Sequence, residues 1–544
     1  MLAGWLALAG AAPARAADDR PNILLLMAED LSPRIGAYGD RVARTPHIDR
    51  LAEQGTRYTR AFTTAGVCAP SRAAIIMGVH QDEWGAGHMR ATAGGYVAVP
   101  PEDWKAFPEW LRRAGYYTVN SGKTDYQMGA GLAAPFRGPS SIWDEPAGDD
   151  WRGRAPGQPF FAYLTLEQTH ESQVWPTWQF SPLAIVMSPL RAANHWSWDF
   201  ETDPAAVRVP PYYPDTPTVR ADIARHYNNL GNVDRAVGEL LAKLEADGLA
   251  DDTLVVFAGD HGDGLPRAKR WLYDSGTRIP LVVRWPGKVA PGAVDDGLVS
   301  GIDFAPTFLR AAGAPLPDYL EGRVFAGPER APAPAVVFAA RDRIDERLDR
   351  VRSVRGPRFL YIRNLMPDQP YVLPIAFRDQ MPMMKEMLAR AAAGTLRGPA
   401  ALWFRKTRDP EELYDTAADP DDVVNLAGDA AYADVLARFR TILDLRLASG
   451  KDLGLLPEDE LRERFWPGGK QPETPPPTVR WRDGRAALKA RHGASVVFRP
   501  AGAETWSLYT EPVTVAPGAS LEARAVRYGW AESVGVRVEG PPLR

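Results

Sequence analysis

Cysteine is all but missing: the 544 residues contain one, Cys68. One cysteine excludes an internal disulfide and leaves three readings for Cys68: a small buried apolar side chain, a reactive thiol, or a site of modification. A large excess of charge of one sign is missing as well. Lys and Arg number 64 against 68 Asp and Glu, a formal net charge of −4, with an isoelectric point near 6.1. Binding nucleic acid through bulk positive charge is thereby excluded. No apolar run is long enough to cross a bilayer. The N-terminal run from Met1 to Gly10, followed by Ala14-Arg15-Ala16, reads instead as the core and cleavage site of a secretory signal peptide without its basic start. The expectation is loss of residues 1–16 and an exported chain, periplasmic or secreted. Its stability then rests on packing and metal rather than on bridges. What is abundant is ordinary: 45% hydrophobic and 24% charged residues describe a globular chain, too long for one core.

The pattern from Pro21 onward alternates strands with helices. Ile23-Leu24-Leu25-Leu26-Met27 is a continuous apolar run, as in a parallel strand buried on both faces. Tyr116–Val119, Phe160–Leu164, Leu254–Phe257 and Pro280–Val283 read as further strands. A helix is expected over Ala221–Leu249, with Leu230, Val233, Val237 and Leu244 on one face. This order predicts an α/β fold with a mostly parallel sheet covered on both sides. The expected division is a catalytic α/β domain over 17–330 and a smaller α+β subdomain over 331–466. A Pro-rich linker over 467–477 leads to a small β-sandwich over 478–544, where short alternating strands are separated by Gly/Pro turns.

In an open parallel sheet, ligands gather beyond the carboxyl ends of the strands. Glu29 and Asp30 follow the first strand, Lys123 the second, His170 the third, and Asp260 and His261 the fourth, with Lys269 in the next loop. Each alone has a plain explanation: carboxylates after strands commonly cap helices, and single Lys or His side chains are commonly solvated. Together at the ends of four strands they predict one site. Glu29, Asp30 and Asp260 offer hard oxygen ligands for Ca²⁺ or Mg²⁺, with His261 completing the set. Lys123, Lys269 and Arg72 would hold a compact multivalent anion. Pro70 and Ser71 are placed to start a helix whose N–H groups face that anion, just after Cys68.

Cys68-Ala69-Pro70-Ser71-Arg72, followed by Gly78, resembles the C-x-P-S-R signature of the type I sulfatases. The resemblance extends over roughly 20–465. It includes Thr45-Pro46-His47-Ile48-Asp49, Gly122-Lys123, Gly259-Asp260-His261-Gly262, Leu272 to Pro280, and Glu412-Leu413-Tyr414-Asp415 with Asp419-Pro420 and Asn425-Leu426. It implies an alkaline-phosphatase-like fold and a formylglycine at position 68, made from cysteine by a separate formylglycine-generating maturation enzyme. It further implies that the hydrated aldehyde attacks sulfur, that Glu29, Asp30, Asp260 and His261 hold the metal, and that Arg72 steadies the formylglycine. Lys123, His170 and Lys269 would contact the sulfate, one of them protonating the leaving group.

The chain departs from the usual pattern at several positions. Glu29-Asp30 stands for Asp-Asp, His261 for a frequent Asn, Asp125 for the histidine of Gly-Lys-x-His, and Met77 for Thr. Asp260-His261 also resembles phosphonate and phosphodiester hydrolases of the same fold, and a catalytically inert glycan-binding relative is the third reading. The segment 340–347, with Tyr361-Ile362-Arg363-Asn364 and Pro367 to Tyr371, is similar to heparan N-sulfatase and other glycan sulfatases. It reads as a sugar-recognition surface or as an ion-paired interface. Trp175, Trp178, Trp196 and Trp198 read as a sugar-stacking wall or as a buried aromatic cluster. Trp506 and Tyr509 read as sugar-binding or core residues, and His88 as a neighbour of the pocket or part of a surface loop. The expected partner is a sulfated saccharide, with no nucleic acid and no membrane.

Overall fold

The first apolar run forms strand β1 (Asn22–Ala28), buried at every position, in a computed structural model that describes residues 20–129, 138–175 and 201–541. Six strands join it: β2 (Thr56–Phe62), β3 (Tyr117–Asn120), β4 (Phe160–Leu166), β5 (Thr253–Gly259), β6 (Arg278–Arg284) and β7 (Ala293–Ser300). Their order is β3-β4-β1-β5-β6-β2-β7. β6 runs antiparallel to β5 and β2, and the other pairings are parallel. Leu24, Leu26 and Ala28 feed one core; Ile23, Leu25 and Met27 feed the other. With both faces covered, no polar alternation is needed, which is why the run is continuous.

Helices α1 (Pro46–Glu53), α2 (Cys68–Met77), α3 (Phe107–Arg113), α4 (Pro217–Ala246) and α5 (Phe304–Ala311) supply the covering layers. α1 and α4 pack on the first core, and α2, α3 and α5 on the second. α4 begins one turn before the predicted Ala221. The Thr216 side chain caps it by accepting from the Val219 N–H, and Pro217 occupies the first turn, where its missing N–H costs nothing.

A second sheet, antiparallel throughout, contains β8 (Val337–Arg341), β9 (Val351–Arg355), β10 (Phe359–Asn364) and β11 (Glu411–Asp415). Leu436, Phe439 and Leu443 of the helix Ala433–Ala448 pack on its Val354, Tyr361 and Leu413. The last strands are β12 (Thr478–Arg482), β13 (Arg485–Lys489), β14 (Ser495–Pro500), β15 (Ser507–Leu508), β16 (Val513–Thr514), β17 (Ser520–Val526) and β18 (Val536–Glu539). They form sheets β12-β13-β16 and β15-β14-β17-β18, which share a small core built on Ala486, Leu488, Val496, Leu521 and Val538. The Pro-rich stretch before them is tied down: Thr474 N–H donates to Ala531 C=O, and Ala531 N–H to Pro472 C=O, both at 2.9 Å.

These last sheets dock on α3 through Glu109, which is fully buried. Its carboxylate accepts from Ser141 Oγ and Tyr528 OH at 2.6 Å, from Arg113 at 2.8 Å, and from Ser495 Oγ. Burial alone would raise its pKa, but Lys105, Arg113 and the hydroxyl donors hold it at about 2, against an ordinary 4.5. A folded-state pKa below the unfolded one contributes stability that is complete above the unfolded value and vanishes as pH falls through the folded one. Glu109→Gln is therefore expected to lower stability near neutral pH by about 3 kcal/mol. Urea titrations at successive pH values should show the gap to wild type closing between pH 4.5 and 2; a gap that ignores pH refutes this account.

Candidate active site

β3, β4, β1 and β5 are adjacent and parallel, so the residues that follow them meet at one edge of the sheet. Glu29 and Asp30 leave β1, Lys123 lies just past β3, Glu167 to Glu171 leave β4, and Asp260 and His261 leave β5. Gly262 and Gly276 let the next loop close on this edge. Gly262 N–H donates to Gly276 C=O at 2.8 Å, and a Cβ on Gly262 would lie 1.9 Å from Ser275 C=O.

Cys68 is the first residue of α2, two positions before the predicted start at Pro70; Val67 before it is extended. Ser71 Oγ donates to Asp260 C=O at 2.5 Å and binds the helix to the end of β5. Cys68 Sγ lies 3.2 Å from His261 Nε2 and 3.7 Å from Asp30 Oδ1. Asp30 is a crossroads. Its backbone is left-handed, with φ of 50°. Its carboxylate accepts from the Glu171 N–H at 2.7 Å, from Lys269 Nζ at 2.9 and 2.7 Å, and from His261 Nε2 at 3.0 Å. Burial would raise the Asp30 pKa; Lys269 and His261 outweigh it and hold the carboxyl well below the usual range. Burial also opposes a charge on His261, yet Asp260, the Cys68 sulfur and Asp30 push its pKa well above the ordinary value.

Asp30, Asp260, His261 and Cys68 place ligand atoms within 4.8 Å of one another. Two carboxylates and an imidazole suit a hard divalent cation. Glu29, the fourth member of the predicted metal set, points elsewhere. It accepts from Arg72 Nη2 at 3.3 Å and from Lys123 Nζ. Arg72 is fully buried and also reaches Asp260 Oδ2 through Nε at 3.1 Å and Thr165 Oγ1 through Nη1 at 3.1 Å.

Above these residues is a cavity of about 570 Å³, whose lining includes Glu29, Arg90, Lys123, Asp125, His170, Glu171, Lys269, Arg270, Asp345 and Phe377. Burial first, then the Lys269 charge, push the His170 pKa down to about 4, so its ring is neutral near pH 7. Its Nδ1 lies 2.9 Å from Ser172 Oγ. Lys269 also pairs with Glu171 at 3.1 Å, Glu171 takes a two-pronged pair from Arg270 at 2.8 and 2.7 Å, and Arg270 Nε reaches Asp345 at 2.9 Å. An alternating row of charges thus runs from beside Cys68 to the outer wall.

Every predicted catalytic and metal residue lies on or just beneath this edge. Glu171 and Arg270 are not among the residues predicted from sequence; they are immediate neighbours of the predicted His170 and Lys269, so adjacency is the signal that points to them. Asp125, noted only as a departure, pairs with Arg90 at 3.3 Å. Asp345 belongs to the segment 340–347, read from the sequence as a sugar-recognition surface or an ion-paired interface, whereas Phe377 carries no local signal. His88 is not in a surface loop: it is 1% exposed and its Nδ1 accepts from Arg343 N–H at 3.0 Å. Trp175 is buried against Phe377, with ring centres 4.8 Å apart; Trp178, Trp196 and Trp198 lie outside the described residues. In the segment 340–347, Arg341 pairs with Asp349, Asp342 with Arg352 and Arg343 with Glu458, so most of it is ion-paired structure. Trp506 sits between Arg499 and Arg524, while Tyr509 packs against the small core.

Comparison with known proteins bears on this arrangement. Residues 21–314 match the family model described as Sulfatase. An ulvan-active sulfatase of Formosa agariphila is 37% identical, covering 96% of this chain and 92% of its own. The N-sulphoglucosamine sulphohydrolase of Homo sapiens is 29% identical over 77% of this chain and 88% of its own. Among solved structures, one in complex with its substrate D-glucosamine-2-N,6-O-disulfate shares the fold at a TM-score of 0.53 and 17% identity, covering 81% of this chain and 100% of that one. The mostly parallel sheet with its antiparallel companions is the alkaline-phosphatase-like architecture expected from the sequence. A family match over more than half the chain, with nearly end-to-end similarity to one sulfatase, places the protein in the sulfatase family, enzymes that hydrolyse sulfate esters.

Proposed function

We propose that this sulfatase removes sulfate, as an O-sulfate ester or N-sulfate, from a sulfated saccharide, using position 68 as its nucleophile. The observation that carries the reading is the placement of Cys68: the first residue of a buried helix, beside Asp30 and His261, below a cavity walled by Lys123, Lys269, Arg90 and Arg270. The similarity to an ulvan-active sulfatase and to an N-sulphoglucosamine sulphohydrolase supports a carbohydrate substrate. Export to the periplasm or medium, where such polymers are met, fits that substrate.

A formylglycine made from Cys68 by a maturation enzyme would supply a hydrated aldehyde as nucleophile in place of the thiol. Asp30, Asp260 and His261 would hold Ca²⁺ or Mg²⁺, which would offset the negative charge of the sulfate. Glu29 stands outside that set and keeps Arg72 and Lys123 in place. Arg72 presents a fixed guanidinium to position 68. Lys123 and Lys269, both cationic and aimed along the cavity edge, bind the sulfate oxygens. His170, uncharged near neutral pH, contacts the sulfate from the cavity wall, and the proton for the departing oxygen or nitrogen comes from a lysine ammonium, Lys123 or Lys269. The buried Glu171–Arg270 pair holds the Lys269 ammonium in position.

Incubation with defined sulfated saccharides should release sulfate, EDTA should stop it, and Ca²⁺ or Mg²⁺ should restore it. Aryl sulfate and aryl phosphonate assayed in parallel separate the two hydrolase readings; faster phosphonate turnover, with no release from any saccharide, defeats the proposal.

A further inference from the structure

The last β unit carries a sheet face that the proposed chemistry does not use. In β12, Thr478, Arg480 and Arg482 alternate with Val479 and Trp481. The ladder to β13 sets Arg482 opposite Arg485, Arg480 opposite Ala487 and Thr478 opposite Lys489. Residues opposed in an antiparallel pair share a face, so Arg480, Arg482, Arg485 and Lys489 stand on one side. Ala486 and Leu488 turn the other way, into the small core. β16 adds Thr514 opposite Arg485. All four cations are exposed.

Arg485 reaches Glu511 only at 4.0 Å, between two exposed side chains, a contact worth little. Among the described residues, Arg480, Arg482 and Lys489 have no carboxylate partner. Like charges set directly opposite, as Arg482 and Arg485 are, weaken a strand pair. Fold stability therefore does not account for this arrangement. Cations recur about 7 Å apart along β12, two residues of strand rise, on a face whose other outward side chains are Thr478, Ala487 and Thr514. Such a surface fits an extended chain bearing repeated negative groups. Trp481, 44% exposed, opposes Ala486 on the other face, so the cationic face itself presents no large apolar side chain to a lipid layer, and the net charge of −4 works against nucleic acid.

We infer that this face binds a sulfated polysaccharide and keeps the enzyme on its polymeric substrate. The inference rests on the proposed action on sulfated saccharides, since the unreacted sulfates of the polymer are the anions it would hold.

The test uses the full chain and the variant Arg480→Gln/Arg482→Gln/Lys489→Gln, with dextran sulfate as the probe beside unsulfated dextran and duplex DNA. Wild type is expected to bind dextran sulfate in a salt-sensitive way and to ignore dextran. The triple variant should lose about tenfold or more in affinity at low salt, as removal of several cations does for a polyanion. Its turnover of a small aryl sulfate should be unchanged. The charge-preserving Arg480→Lys/Arg482→Lys chain should keep most of the binding, which guards against a misfolded first variant. Equal affinity of wild type and triple variant, equal binding of unsulfated dextran, or tighter binding of DNA overturns the inference. Binding is read without turnover, so patch-dependent retention with no sulfate release would support the surface while removing the catalytic reading.

Discussion

Replacing Cys68 with alanine is expected to cut sulfate release by at least about 10⁴-fold, the scale on which loss of a covalent nucleophile acts. The neighbours at Cys68 remain able to bind an anion in that variant: Arg72, Lys123 and Lys269 are held by Glu29, Asp260, Asp30 and Glu171 rather than by the cysteine. Substrate affinity should therefore survive while turnover vanishes, and equilibrium binding of a sulfated saccharide measured beside turnover shows that split. Cys68→Ser provides the companion measurement, because a hydroxyl is present but the aldehyde chemistry is not. Mass spectrometry of the peptide carrying position 68, from the native host, should show the aldehyde in place of the thiol. Unchanged thiol in an active enzyme, or retained turnover in Cys68→Ala, removes position 68 from the mechanism.

Arg72→Leu is expected to be the most damaging single change to the fold around the site, costing about 3–5 kcal/mol as loss of one partner in a buried ion pair does. The guanidinium is fully buried and serves Asp260 and Glu29 at once, so its removal leaves two buried carboxylates short of a cation. Burial opposes charge on Arg72, yet Tyr163, Asp260 and Glu29 around it hold its pKa well above the ordinary value, so it cannot escape by losing a proton. Arg72→Lys keeps a charge but not the planar fork. It should recover part of the stability and little of the activity. Thermal unfolding with and without added Ca²⁺ checks this: a metal on Asp260 would shrink the defect. Wild-type stability in Arg72→Leu contradicts the role assigned to the pair.

The left-handed residues show why much of the site is invisible in one dimension. Asp30, Arg90, Asp125, Arg270 and Asp345 all have positive φ without being glycine, a conformation that costs on the order of 1 kcal/mol or more each and gathers where surrounding contacts over-determine it. Nothing in their local sequence announces it. Each is held by a charged partner far along the chain, as Asp125 is by Arg90 and Asp345 by Arg270. Glu29 makes the same point from another direction. Its place after β1 was legible as a rim carboxylate, but its choice between metal and cation was not, because that depends on where Lys123 and Arg72 come to lie.

Legible in one dimension were the strand-end residues, a helix starting just after Cys68, the mostly parallel sheet and the short alternating strands at the end of the chain. These follow from periodicity and from the rule that chemistry sits beyond the carboxyl ends of parallel strands, both properties of short segments. Tertiary structure alone decided which charge faces which. It set Glu29 on Arg72 and Lys123, ran the row of charges from Asp30 to Asp345, brought Phe377 to the cavity wall, and anchored the last sheets on the buried Glu109. The physical reason is common to all of them. A charge taken out of water must find its partner in space, and that partner belongs to another segment whose position only the packed chain defines.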